Sequence, residues 1–281
     1  MANNVPALKN IKLQRVWLLL IQFKNSMLLP IGDDNRDRHI TPYINYLLII
    51  LNILAFVFWQ EMGNSIPVTF GYSTVPAEIL EGHDIITRSR IVPHPITGED
   101  VLVPGLQVTP IPVYLTLITS MFMHGGWAHL GGNLLFLWIF GDNLENAMGH
   151  RRYLFFYLLC GVLASLAHVF SASFLNQSTL VPSLGASGAI SGVLGGYILL
   201  FPGRTVHVWI LFGIVSMSAI LVIGIWFVFQ VVNGMGKLGG NEAAGGIAYA
   251  AHIGGFIAGL LLVKFFRRKI IQVPEDRRSS W

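Results

Sequence analysis

The sequence predicts an all-α membrane protein, a polytopic bundle of six transmembrane helices. Three observations carry that expectation. Only 11% of the 281 residues are charged and 53% are hydrophobic, with mean hydropathy +0.62, whereas soluble domains carry about a quarter charged residues. Six apolar stretches approach the roughly 20 residues needed to span a bilayer. Lysine and arginine gather on one side of the resulting topology.

The stretches are 43–60, 113–141, 152–174, 186–202, 206–232 and 247–266. The second is too long for a simple span. Its part before Gly125-Gly126 reads as a loop or re-entrant piece, with the helix proper starting near Trp127. Residues 61–112 form a polar, proline-containing loop between the first two spans. In the segment Leu8–Leu29, Lys9, Lys12, Arg15 and Lys24 are mixed with Trp17 and leucines, which suits a helix lying on a membrane. No secretory signal is apparent. The lone Cys160 excludes an intramolecular disulfide. These boundaries predict a cytoplasmic N-terminal extension over 1–40, a six-span domain over 41–266 and a cytoplasmic tail over 267–281.

With both termini inside, 15 of the 18 Lys and Arg residues fall on the cytoplasmic side, and only Arg88, Arg90 and Lys237 fall opposite. Ser187 then opens the fourth span at its outer end. His252 lies one to two turns into the sixth, at similar depth. Asp142 and Glu145, close in sequence to Arg151 and Arg152, predict an inner-face ion network.

Polar residues inside a bilayer are costly and usually face a cavity or one another. "SMFMHGGWAHLGGNLLF" supplies His124, His129 and Asn133, "GASG" supplies Ser187, and "AAHIGGFIAG" supplies His252. A serine becomes a nucleophile when a base within hydrogen-bond reach takes its proton. Acyl transfer also needs donors for the developing oxyanion. Ser187 is equally a good helix N-cap, and taken alone that is the simpler reading. A zinc site built on the histidines is also conceivable, but no HExxH motif or nearby acidic residue supports one, and no metal or other cofactor is expected. Gly188, Gly192 and Gly196 on the fourth span, with Gly255 and Gly259 on the sixth, form small-residue stripes that let helix backbones approach closely. Such packing would bring Ser187 and His252 together.

Taken together, His124, His129 and Asn133 (His-x4-His-x3-Asn), Gly185–Gly188 (Gly-x-Ser-Gly) and Ala251-His252 before glycines resemble the rhomboid family of intramembrane serine proteases, over about residues 40–266. That resemblance implies a Ser187–His252 dyad without an acidic third member. It implies an oxyanion hole formed by the Ser187 N–H with Asn133 and His124. His129, Gly185 and Gly188 take supporting roles, and Glu145 with Gly149 forms a structural Glu-x3-Gly. It also implies lateral substrate entry, with the fifth span and Gly234–Gly246 as a mobile gate. The expected partners are transmembrane protein substrates and the lipid bilayer, with no nucleic acid. A bacterial plasma membrane fits the short N-terminal extension. Many relatives carry an aromatic residue four positions after the serine, where this chain has Ser191, so a Ser191 hydroxyl is the candidate for orienting the base. The Trp-Arg pair of many first external loops is missing. Two other classes compete: an inactive relative that binds membrane clients, opposed by the presence of both Ser187 and His252, and a proton-relaying transporter, opposed by the lack of an internal repeat.

Overall fold

The computed structural model describes residues 29–93, 100–175, 177–211, 213–238 and 248–268. The predicted surface helix over Leu8–Leu29, apart from Leu29 itself, most of the Gly-rich loop and most of the C-terminal tail lie outside these residues.

The longer helices are α1 (Tyr43–Leu54, continued by a π-helical turn, Ala55–Trp59), α5 (Trp127–Met148), α6 (His150–Phe174), α7 (Ser187–Leu200), α8 (Ala219–Leu238) and α9 (Tyr249–Phe266). Short helices α2 (Ile66–Gly71), α3 (Pro76–Glu81) and α4 (Thr116–Thr119) and a hairpin of β2 (Arg90–Pro93) with β3 (Asp100–Val103) fill the long loop after α1. As the glycine pair foretells, residues 113–122 break into short helical turns and the long helix starts at Trp127. By length and composition, α6 and α9 are long and apolar enough to cross a membrane. Large apolar side chains face outward from several helices, among them Phe58, Phe155, Leu261 and Phe265.

The first half of the predicted fifth span is not helical. Thr205–Ile210 (β4) and Gly213–Ser218 (β5) form an antiparallel hairpin, and β1 (Leu29–Asp33) pairs antiparallel with β4 to give the sheet order β1-β4-β5. The run is rich in β-branched residues that alternate in facing: Val206 and Val208 are fully buried against the bundle, while Trp209 is half exposed. Alternation of this kind suits a strand rather than a helix. Strand β1 also shifts the expected domain boundary, since residues 29–33 of the presumed extension are part of the folded unit.

Helices α7 and α9 meet backbone to backbone. A Cβ added at Gly255 would collide with the Gly188 carbonyl oxygen, and one at Gly259 with that of Gly192. Gly192 itself faces α6, where its Cβ would strike Cys160. The glycine stripes therefore join three helices rather than two.

At the end of the bundle away from Ser187, polar groups close the structure. Buried Glu145 accepts hydrogen bonds from the backbone N–H groups of Ile44 (3.0 Å) and Asn45 (2.7 Å) and contacts His150 Nδ1. Asn45 bonds the Leu137 carbonyl and receives the Tyr153 hydroxyl. Asp142 pairs with Arg38, and Arg204 bonds Asn143 and the Asp34 carbonyl. The expected partners Arg151 and Arg152 are replaced by Arg38 and His150, because β1 and the turn after it fold under the ends of α5 and α7. Gly149 lies in the left-handed region at φ +78°, and a Cβ there would collide with the Arg268 guanidinium.

Candidate active site

The loop that delivers Ser187 is pinned from below by the short helices. Thr74 and Ser183 exchange backbone hydrogen bonds of 2.9 and 2.8 Å, and Gly185 N–H donates to the Ser120 carbonyl at 2.8 Å. The Thr74 hydroxyl donates to the Thr116 carbonyl. Gly185 then turns the chain at φ +114°, a region that L side chains rarely adopt. A side chain there would also press on His129, with its Cβ 2.7 Å from Nε2 and 3.5 Å from Asn133 Nδ2. Helix α7 starts at Ser187, so the first N–H groups of the helix have no intrahelical acceptor and point back toward the loop.

Across the glycine seam, α9 presents His252. Its Nε2 lies 2.7 Å from Ser187 Oγ, and its Nδ1 lies 2.8 Å from Gln230 Oε1 on α8. Trp226, one turn before Gln230, holds its ring 6.2 Å from the imidazole and 6.4 Å from that of Phe136 on α5. Ser191 is fully buried, and its hydroxyl donates to the Ser187 carbonyl at 2.6 Å. It therefore serves its own helix and does not orient the base.

A cavity of about 660 Å³ opens above these groups, lined by Ser187, His252, His129, Asn133, Leu184 and Trp226 among others. Two of the second-motif residues stand in it and one does not. His129 and Asn133, four apart on α5, share a helix face and line the cavity. Gly125 N–H lies 3.4 Å from His129 Nδ1 and donates to it, which leaves the proton on Nε2, beside Gly185. Asn133 is buried, and its Nδ2 has no hydrogen-bond partner among the described residues.

His124 sits before the Gly125-Gly126 turn and outside the cavity lining. It is fully buried, with its ring edge-on to His129 at 5.2 Å and its backbone clamped by Gln60. Gln60 Oε1 accepts the His124 N–H and Nε2 donates to the His124 carbonyl, both at 2.9 Å. The two histidines thus exchange the positions expected of them: His129 faces the serine loop and His124 underpins it. Gly188 packs against Ala164 of α6, where a Cβ would approach to 2.8 Å.

Comparison with known proteins places the chain in a family. A family model, the Rhomboid domain, matches residues 112–269. The chain is 31% identical over 173 residues to Rhomboid protein 1, mitochondrial, of Saccharomyces cerevisiae, covering 62% of this chain and 47% of that protein. It is 34% identical over 161 residues to Rhomboid protease GluP of Bacillus subtilis, covering 57% and 26% respectively. With RHOMBOID-like protein 4 of Arabidopsis thaliana it shares 33% over 146 residues, covering 52% and 32%. The matches thus span about half or less of these relatives' lengths. The chain belongs to the rhomboid family and is an integral membrane protein.

Proposed function

We propose that this chain is an intramembrane serine endopeptidase that cleaves transmembrane or juxtamembrane segments of other membrane proteins through a Ser187–His252 dyad. The observation that carries this reading is the 2.7 Å contact between Ser187 Oγ and His252 Nε2 at an open cavity. His252 takes the serine proton as Oγ attacks the substrate carbonyl, then returns it to the leaving amine. Water entering through the cavity hydrolyses the acyl-enzyme by the same sequence in reverse. The developing oxyanion meets the Ser187 N–H, Asn133 Nδ2 and His129 Nε2–H. Assigning His129 this role in place of His124 rests on its place in the cavity lining and on the tautomer that the Gly125 N–H favours.

In this reading α1, α5, α6, α7, α8 and α9 are the six spans. Both termini face the cytoplasm, as the distribution of Lys and Arg favours. Substrate enters laterally past α8, whose Trp226 meets Phe136 of α5 at the cavity wall.

The deciding experiment is cleavage of a model transmembrane substrate in proteoliposomes by wild type, Ser187→Ala and His252→Ala. Both variants are expected to insert and fold yet show no cleavage, and a fluorophosphonate probe should label wild type at Ser187 alone. Turnover near wild type in either variant would overturn the dyad. EDTA is expected to leave the rate unchanged, and inhibition reversed by added zinc would point to a metal site instead.

A further inference from the structure

We propose that Gln230, on α8, is the positioning residue that sets the tautomer of His252; the proposal rests on the dyad reading above. For Nε2 to accept the serine proton it must be bare, so the ring proton belongs on Nδ1 and needs an acceptor there. Gln230 Oε1 lies 2.8 Å from Nδ1. It stands four residues after Trp226, on the same face of the helix, so consecutive turns of α8 give His252 an aromatic wall and then an amide oxygen.

Other elements around the ring do not fill this role. Ser191 of α7 spends its hydroxyl on the Ser187 carbonyl. The titratable groups facing His252 are His129 of α5, His168 of α6 and Tyr249 of its own helix, and among the described residues no carboxylate bonds Nδ1. A carboxamide in this position holds the ring through a hydrogen bond without adding charge. When His252 gains the serine proton, its Nδ1–H stays bonded to the Gln230 oxygen, and Nε2–H is then free to be delivered to the leaving amine.

The location on α8 adds a consequence. Helices α7 and α9 are joined through their backbones, whereas α8 reaches α9 through side chains such as Phe227, stacked on Phe256 at 4.2 Å. Further along, a cavity of about 310 Å³ lies between Val231 and Gly234 of α8, Tyr249 and Ile253 of α9 and Ala167 of α6. A displacement of α8 therefore breaks the Nδ1 contact while leaving Ser187 and His252 in place. The tautomer of the base reports where α8 stands.

The test compares wild type, Gln230→Ala, Gln230→Met and Gln230→Glu as full chains in proteoliposomes, with Ser187→Ala as the reference for the dyad itself. Gln230→Ala and Gln230→Met remove the acceptor and are expected to lower kcat roughly tenfold, the weight of one hydrogen bond, with KM within about twofold. Gln230→Glu keeps an oxygen for Nδ1–H. It is expected to retain turnover and to move the acid limb of the pH–rate profile to higher pH, because a carboxylate favours the protonated imidazole. Melting in detergent separates folding from chemistry, and Gln230→Met keeps the bulk of the side chain if Gln230→Ala proves unstable. Wild-type kcat in Gln230→Met overturns the proposal, as does a Gln230→Glu variant no more active than Gln230→Met with an unmoved acid limb. If Ser187→Ala still cleaves, the dyad reading fails; if it is inactive while Gln230→Met turns over normally, only the role of Gln230 fails.

Discussion

The two ends of the bundle handle buried polar groups in opposite ways. Around Glu145, Asn45 and Tyr153, the side chains satisfy one another and neighbouring backbone groups at the junction of α1, α5 and α6. Around Ser187, Asn133 Nδ2 and His124 Nε2 are buried without partners among the described residues, one at the edge of a 660 Å³ cavity and the other behind it. An unmade buried hydrogen bond costs on the order of 1–3 kcal/mol. Such groups are expected where a ligand supplies the missing partner. The contrast is between two clusters: the Glu145 cluster is satisfied from within, whereas at the cavity Asn133 keeps an unspent donor; Asp33 Oδ1 is the exception at the Glu145 end.

Exchanging the damage between the ends gives the largest expected effects. Asn133→Ala should leave melting nearly unchanged and lower kcat on the order of 10²–10³, the usual cost of losing one oxyanion donor, with KM little altered. Glu145→Ala should do the reverse, stranding two backbone N–H groups and lowering unfolding free energy by about 2–4 kcal/mol. Steady-state kinetics and detergent melting on both variants check the pair. A Glu145→Ala protein that melts like wild type would break the comparison.

The seam between the ends should respond in both measurements. Gly259→Ala drives a Cβ into the Gly192 carbonyl, and overpacking of this kind costs about 1–3 kcal/mol. Melting and cleavage are expected to fall together, since parting α7 from α9 also parts Ser187 from His252. Activity lost at unchanged melting would show that the seam does more than pack.

A smaller effect separates the two histidines. His129→Ala is expected to lower kcat about tenfold with melting preserved, one weaker donor being lost. His124→Ala should act mainly on melting by loosening the segment that Gln60 clamps. Equal kinetic profiles for the two would erase the distinction between them.

The smallest effect is pH-dependent and belongs to the far end. Asp33 in β1 accepts hydrogen bonds from Tyr197 and Asn143, yet its Oδ1 is buried without a partner among the described residues. Burial pushes its carboxyl up to about 7. Since the folded value lies above the unfolded one, the stability contributed by the neutral acid is fully present below pH about 4 and is lost as pH rises through 7. Asp33→Asn mimics the neutral acid, so its melting should match wild type near pH 4 and exceed it above pH 7. The gain expected is about 1 kcal/mol once partial exposure is allowed for. A constant offset across pH would assign the effect to packing instead.

The sequence disclosed much of this where one property decides the outcome. Four of the apolar runs, near 43–60, 152–174, 186–202 and 247–266, coincide with helices because an unbroken greasy stretch of that length has few other solutions. The run at 206–232 is helical only in its second half, because a hydropathy window sums over a strand-turn-strand as readily as over a helix. The β-branched Val206, Val208, Ile210 and Val215, with Gly213 opening the second strand, are the available signal. In the site, Ser187 and His252 stand out by motif, but roles within His-x4-His-x3-Asn depend on where the helix begins. Only His129 and Asn133 lie beyond Gly125-Gly126 on one helical face, a spacing of four that the sequence displays. Gln230 is the lone amide in "IWFVFQVV", and an amide in so apolar a run is costly unless something meets it.

The glycine seam has a consequence for how the chain can change over time. The separation of α7 and α9 is set by main-chain atoms in contact, Gly188 against Gly255 and Gly192 against Gly259. Substitutions among the outward-facing residues, such as Phe155, Leu261 or Phe265, do not enter that distance. The outward-facing surface can therefore be altered to suit different lipids or neighbours, while the spacing of Ser187 and His252 stays tied to a few residues that have no side chain to vary.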